Sequence, residues 1–170
     1  MIFWFTGLSG SGKTTFSEYL KKRVNKNLKK KIIHIDGDSF RSIFNDLGYT
    51  TEDRIKNSER VCKLVNFLNK SGRFLIIVSM VSISSKWLKW IRKKNNDYYQ
   101  FFIDVPINIL KKRNTRNIYK KKSIVGVHIK YEKPKKNYFV FYNDFKKSFL
   151  KKSIAEILND KKIKMAFKRL

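Results

Sequence analysis

The run Gly7-Leu8-Ser9-Gly10-Ser11-Gly12-Lys13-Thr14 brings glycines, an ammonium and a hydroxyl into one short stretch. Glycines let a backbone curl until successive N–H groups converge on an anion, and a helix starting near Lys13 adds its positive end. Lys13 then reaches the β- and γ-oxygens of a triphosphate, while the Thr14 hydroxyl ligates Mg²⁺. Thr15 completes the ATP-binding set. The match to G-x-x-x-x-G-K-[ST] is full. It also falls where it must, between an apolar run, Ile2–Thr6, and a helical pattern carrying Phe16, Tyr19, Leu20 and Val24. ATP and Mg²⁺ are therefore the expected cofactors.

A second group of carboxylates follows at Asp36-Gly37-Asp38. It closes a strand expected over Lys31–Ile35, read as lying directly beside the strand that carries the phosphate loop. Asp38 is placed to accept a proton from an attacking hydroxyl or to hold Mg²⁺ through water; Asp36 is the other metal candidate, with Thr14. Arg41, one turn into the next helix, suits an anionic substrate. The guanine-reading tetrapeptide Asn-Lys-x-Asp is missing, since Asn25-Lys26-Asn27-Leu28 lacks the acid. A small-molecule kinase is the expectation.

The elements that must hold these groups alternate. Thr50 or Thr51 caps a helix with Glu52 and Asp53 in its first turn, with Ile55, Cys62, Val65 and Leu68 facing inward and Ser71-Gly72 at its end. Strands are predicted at Phe74–Met80, at Phe101–Val105 before Pro106, and at Tyr138–Tyr142; Phe145–Leu158 reads as a last helix. The class is α/β: a P-loop NTPase fold, a three-layer sandwich around a mostly parallel sheet of about five strands. Residues 1–170 form a single domain, with a lid around 111–130. Every polar motif falls at a strand's carboxyl end, where such sheets bind ligands.

The chain carries 40 Lys and Arg against 13 Asp and Glu, a net charge of +27. The excess is scattered in short runs such as Lys29–Lys31 and Lys120–Lys122, and it accompanies abundant Asn, Ile and Phe, a bias of composition more than a binding arm. No nucleic-acid partner is expected, and the charge steers anionic nucleotides. The lone Cys62 sits on an apolar stripe and is read as core. No apolar run approaches a membrane span, so a cytoplasmic location without a membrane partner is expected. His34 reads as a packed strand residue, Trp87 and Trp90 as packing residues, and Asp97 as a solvated loop acid. Lys151–Leu170 reads as a solvated basic helix and tail.

Several strings together resemble the adenylyl-sulfate (APS) kinases: Phe3 through Thr14, Asp36-Gly37-Asp38-Ser39-Phe40-Arg41, Leu47-Gly48-Tyr49, and Glu52-Asp53-Arg54-Ile55-Lys56-Asn57. Val78-Ser79, Asp104-Val105-Pro106, Arg113 through Lys121, and Tyr131-Glu132-Lys133-Pro134 extend the similarity to about Asn143. The resemblance implies phosphoryl transfer from ATP to the ribose 3′-hydroxyl of a nucleotide bearing a second acidic group on its 5′-phosphate. By the matched positions Asp38 engages that hydroxyl, Arg41, Arg54 and Asn57 hold the phosphate-linked end, and Tyr49 stacks on the base. Val78 and Ser79 line the substrate side, with Ser79 as a hydrogen-bonding group or a transient phosphoryl acceptor. Arg113, on the ATP side, and Arg116 belong to the lid.

The chain also departs from that family. Ser79-Met80-Val81-Ser82 lacks the usual proline and arginines, the segment after the lid is shorter, and Ile124 or Val125 stands where a base-stacking Phe is usual. A smaller lid suits a pyrimidine. The expected substrate is thus cytidine diphosphoramidate, the acceptor of the branch that serves capsule-sugar decoration, with APS as the alternative. A nucleic-acid-associated P-loop protein, such as a polynucleotide kinase, is the third reading. A homodimer is the option for assembly.

Overall fold

The computed structural model describes residues 1–120 and 122–170, with Thr115, Arg116 and Lys120 described by their backbone alone. Five parallel strands, β1 (Ile2–Thr6), β2 (Ile32–Asp36), β3 (Leu75–Met80), β4 (Tyr98–Asp104) and β5 (Phe139–Tyr142), form one sheet in the order β2-β3-β1-β4-β5. The helices are α1 (Lys13–Arg23), α2 (Lys26–Lys29), α3 (Gly37–Arg41), α4 (Thr51–Asn69), α5 (Ser85–Lys94), α6 (Ile107–Arg113), α7 (Lys147–Asn159) and α8 (Lys161–Phe167). Side chains alternate across a strand, so β1 feeds both faces of the sheet. Phe3 and Phe5 pack with Phe16, Leu20, Phe101, Ile154 and Ile157; Ile2 and Trp4 pack with Val61, Cys62, Val65, Leu88 and Ile91. The three layers are α1, α7 and α8, the sheet, then α4 and α5.

The order corrects the expectation that β2 adjoins the phosphate-loop strand, because β3 lies between them. Burial explains the placement. Every β3 residue is buried and suits the interior, whereas β2 is half-buried and carries His34, as an edge strand can. β4 begins at Tyr98, three residues before the sequence reading had it, because polar Gln100 masked the strand. Its buried amide is satisfied by Lys136 O at 3.1 Å and Asn137 Oδ1 at 2.7 Å.

Two helices also differ from expectation. Ile55 is 39% exposed; the inward stripe of α4 runs Arg54, Asn57, Ser58, Val61, Cys62, Val65, polar in its first turns and apolar beyond. The C-terminal segment is not a solvated tail: Ile154, Ile157, Ile163 and Ala166 are buried against the sheet, and Asp160 starts α8 by accepting from Ile163 N at 2.9 Å. Asp97 is paired with Arg169 at 2.6 Å. No helix among the described residues is long and apolar enough to cross a membrane.

A reciprocal capping box fixes the start of α4: Asp53 N donates to Thr50 Oγ1 (3.1 Å) and Thr50 N donates to Asp53 Oδ2 (3.2 Å). Thr50→Ala is expected to cost about 1 kcal/mol. In thermal unfolding this lowers the Tm by roughly 2–4 °C for a chain of this size. An unchanged Tm would show that the cap contributes nothing.

Candidate active site

The phosphate loop is built as its sequence demands. Gly12 sits at φ +102, and a Cβ there would lie 2.6 Å from the Asn143 amide nitrogen. That amide, just past β5, donates to Ser11 O at 2.8 Å, while Tyr119 Oη donates to Ser9 O at 2.6 Å. The loop is thus pinned from the β5 side and from the lid. Lys13 Nζ donates to Leu8 O at 2.8 Å. Burial pushes its ammonium down to about 8 from 10.5, against the pull of Asp38 and Asp36. Ser11 Oγ is buried without a partner among the described residues.

Asp36 joins the two motifs. Its Oδ1 accepts from Asp38 N (3.1 Å) and Ser39 N (3.2 Å), starting α3, and its Oδ2 accepts from Thr14 Oγ1 at 3.1 Å. A carboxylate and a hydroxyl in contact are a hard oxygen pair that fits Mg²⁺, which takes few protein ligands and completes its shell with phosphates and water. Gly37 is required by close approach, since a Cβ there would lie 2.5 Å from Met80 Cβ. Its carbonyl accepts from Asn57 Nδ2 at 3.1 Å, which ties α4 to the end of β2.

The α3–α4 side gathers buried positive charge. Arg41 and Arg54 are buried, and Arg54 is held below the usual guanidinium range by burial and by the Arg41 charge. Arg41 Nη1 donates to Asp38 Oδ1 at 3.1 Å, and Arg41 Nε is buried without a partner among the described residues. Asp38 itself is exposed to the cleft. Both guanidiniums lie against Tyr49, 4.7 and 5.5 Å from the ring centroid. Arg54 also donates to Tyr49 O (3.2 Å) and to Ser123 O (3.1 Å), linking the body to the lid return.

One cavity of about 450 Å³ contains most of these groups, running from Arg41, Arg54 and Asn57 past Ser79 and the phosphate loop to Arg113 and Phe145. The strand order puts its two ends on opposite sides of β1, as two substrates need. At the β5 end the Arg113 guanidinium lies 3.6 Å from the Phe145 ring centroid, with Phe145 at φ +65. A second cavity of about 470 Å³ lies below Leu8 and is mainly apolar; its one acid, Asp104, pairs with Lys133 at 2.6 Å.

Several candidate residues sit elsewhere. Leu8 and Val125 pack with Val105 and Leu110, and Ile124 is buried as well, so neither Ile124 nor Val125 lines the cavity. Both are displaced because the lid return closes on itself, with Ile129 N and His128 N bonding Ile124 O. The Val78 side chain belongs to the core, leaving only its backbone for a ligand. The Arg116 side chain lies outside the described residues. Burial pushes the Cys62 thiol up to about 12, consistent with a core role. His34 is not simply packed: its Nε2 meets Ser79 Oγ at 3.0 Å and its Nδ1 meets Glu18 Oε1 at 3.1 Å. Asn143, Phe145, Tyr119 and Ser17 were missed because no local pattern marks their contacts; the sheet order brings Asn143 and Phe145 to the site, the lid brings Tyr119 to Ser9, and α1 holds Ser17 against Ser79.

The adenylylsulphate kinase family model matches residues 1–141. The chain belongs to the adenylylsulphate kinase family. It is 32% identical over 139 residues to the cytidine diphosphoramidate kinase of Campylobacter jejuni, covering 78% of this chain and 81% of that one. It is 34% identical over 149 residues to the adenylyl-sulfate kinase of Clostridium acetobutylicum, covering 79% and 70%. Among solved structures, the Mycobacterium tuberculosis APS kinase CysC in complex with AMPPNP and APS superposes with a TM-score of 0.77 at 25% identity, over 93% and 95% of the two chains. As a member of this kinase family, the chain is an ATP-dependent kinase that phosphorylates a hydroxyl group.

Lys13 supplies a test of the site's charge. Because its folded pKa is depressed, the unfolded state holds the extra proton between about pH 8 and pH 10.5, and stability rises with pH across that window. Lys13→Met removes the buried charge. The ligand-free variant should unfold at a higher temperature than wild type at neutral pH, by an amount that shrinks toward about pH 10.5. The same variant should lose the stabilisation that Mg-ATP gives the wild type. A lower Tm at neutral pH would contradict the account.

Proposed function

We propose that this chain transfers the γ-phosphoryl group of ATP to the 3′-hydroxyl of a 5′-activated nucleotide, and that the nucleotide is cytidine diphosphoramidate. The observation behind the choice of base is the burial of Ile124 and Val125, which takes both out of the cavity and leaves Tyr49, 57% exposed beside Arg41 and Arg54 though outside the cavity's lining, as the one-sided stacking candidate. Stacking on an aromatic contributes about 1–3 kcal/mol per base. A one-sided platform forfeits more stacking from the larger purine than from a compact pyrimidine held through its phosphates. The product fits the phosphoramidate decoration of capsule sugars, a role for an enzyme of the cytoplasm.

The residues act by placement and charge, as a phosphoryl transfer requires. Arg41 and Arg54 hold the acidic 5′ end, with Asn57 fixing the Gly37 turn beneath it. Asp38, facing the cleft, accepts the proton of the attacking hydroxyl. Lys13 leaves the Leu8 carbonyl for the transferring phosphoryl oxygens, and loop amides take the β-phosphate. Thr14 and Asp36 would hold Mg²⁺, which would supply charge neutralisation at the phosphates. Arg113 and Phe145 flank the ATP base, and Arg116 serves the lid.

APS is the second reading, favoured by the similarity to the APS-bound structure. The protein with Mg-ATP is offered each nucleotide separately, and ³¹P spectra are followed for a new phosphomonoester. A 3′-phosphorylated cytidine product with APS untouched is expected. Turnover of APS with the cytidine compound inert would overturn the choice of base. Asp38→Asn should lower kcat by about 10²–10⁴-fold on the accepted nucleotide, as loss of a general base does.

A further inference from the structure

Between α1 and the β2 edge runs a row of polar groups that the transfer scheme leaves unused. Glu18 Oε1 lies 3.1 Å from His34 Nδ1, His34 Nε2 lies 3.0 Å from Ser79 Oγ, and Ser79 Oγ lies 2.5 Å from Ser17 Oγ. Ser17 and Ser79 are both buried, and Ser79 is part of the cavity wall. Neither Glu18 nor His34 lies in the strings through which the chain resembles its family. The arrangement is a hydroxyl held by an imidazole that is in turn held by a carboxylate.

Hydrogen-bond chemistry sets the order of the protons. A carboxylate only accepts, so Nδ1 carries the ring proton toward Glu18 and Nε2 is left with a lone pair. Ser79 therefore donates to Nε2, and Ser17 Oγ, 3.0 Å from Lys13 O and 2.5 Å from Ser79 Oγ, shares its one proton between those two oxygens. One Ser79 lone pair then remains for the cavity. We propose that Glu18 and His34 are positioning residues that turn the Ser79 proton away from the cavity, so that Ser79 Oγ accepts from the ribose hydroxyl beside the attacking one and orients the acceptor nucleotide, whose attacking proton goes to Asp38. This rests on the kinase reading of the site. Without the imidazole, the Ser79 hydroxyl can rotate and present its proton to that neighbouring ribose hydroxyl instead.

His34→Leu should lower kcat about tenfold, the scale of one lost hydrogen bond, with KM for ATP within about twofold. His34→Gln, which keeps a polar atom near the Nε2 position, should recover most of the loss and serves if the leucine variant does not fold. In a Ser79→Ala background the His34 substitutions should have no further effect. An equal loss in both backgrounds, or no loss in either, would overturn the proposal.

A second readout needs no acceptor substrate. With only two histidines in the chain, long-range ¹H–¹⁵N spectra resolve both rings. His34 is expected as the Nδ1–H tautomer, with an Nε2 resonance that moves in Ser79→Ala while that of His128 does not. The Nε2–H tautomer, or an unmoved resonance, would overturn the hydrogen-bond order. If neither nucleotide were turned over by the wild type, the kinase reading of the acceptor would fail, and these spectra would still decide the order.

Discussion

A buried ammonium is the constraint around which this molecule is arranged. Lys13 is enclosed, donates among the described residues only to the Leu8 carbonyl, and is depressed to about 8 by the loss of water. Such a group is unfavourable in the free protein and satisfied when phosphate oxygens arrive. The loop that holds it open cannot relax, because Asn143 grips Ser11 and Tyr119 grips Ser9. Those grips come from the far strand and the lid, so the sheet order and lid placement are conditions for the phosphate site.

The same logic governs the acceptor end. Arg41 and Arg54 are buried beside each other, and their mutual repulsion is eased by Tyr49, by backbone carbonyls and by the ion pair from Arg41 to Asp38. The inward face of α4 changes from polar to apolar along its length, so one helix both lines the cavity with Arg54 and Asn57 and anchors it in the core with Val61, Cys62 and Val65. Its capping box sets where that change falls relative to Gly37. The placement of Arg54 and Asn57 at the cavity thus depends on a helix register.

Local signals made much of this legible. The phosphate loop, the Asp36-Gly37-Asp38 turn, the Thr50 cap and four of the strands follow from short patterns whose physics is local, and the sheet class follows from their alternation. Ile55 was misplaced because the inward stripe of α4 is polar where it lines the cavity, which an apolar periodicity cannot detect. The β2–β3 adjacency was misjudged because strand order is a property of edges and burial, not of chain order. His34 looked like core because nothing local reveals that Glu18 and Ser79 flank it. Phe145 and Asn143 lie past the last strand, where no pattern points back to the loop. The C-terminal helices were hidden by lysines whose apolar partners, Ile154, Ile157 and Ile163, are spaced for the sheet.

The central claim is that the buried Lys13 waits for the γ-phosphate, at a site shared with Thr14 and Asp36. A crystal structure with Mg²⁺ and a non-hydrolysable ATP analogue tests it directly. The account predicts Lys13 Nζ released from Leu8 O and bonded to the γ-phosphate, with the metal against Thr14 and Asp36. An analogue lodged elsewhere, in the apolar cavity below Leu8 for example, with Lys13 still on the Leu8 carbonyl, would contradict it.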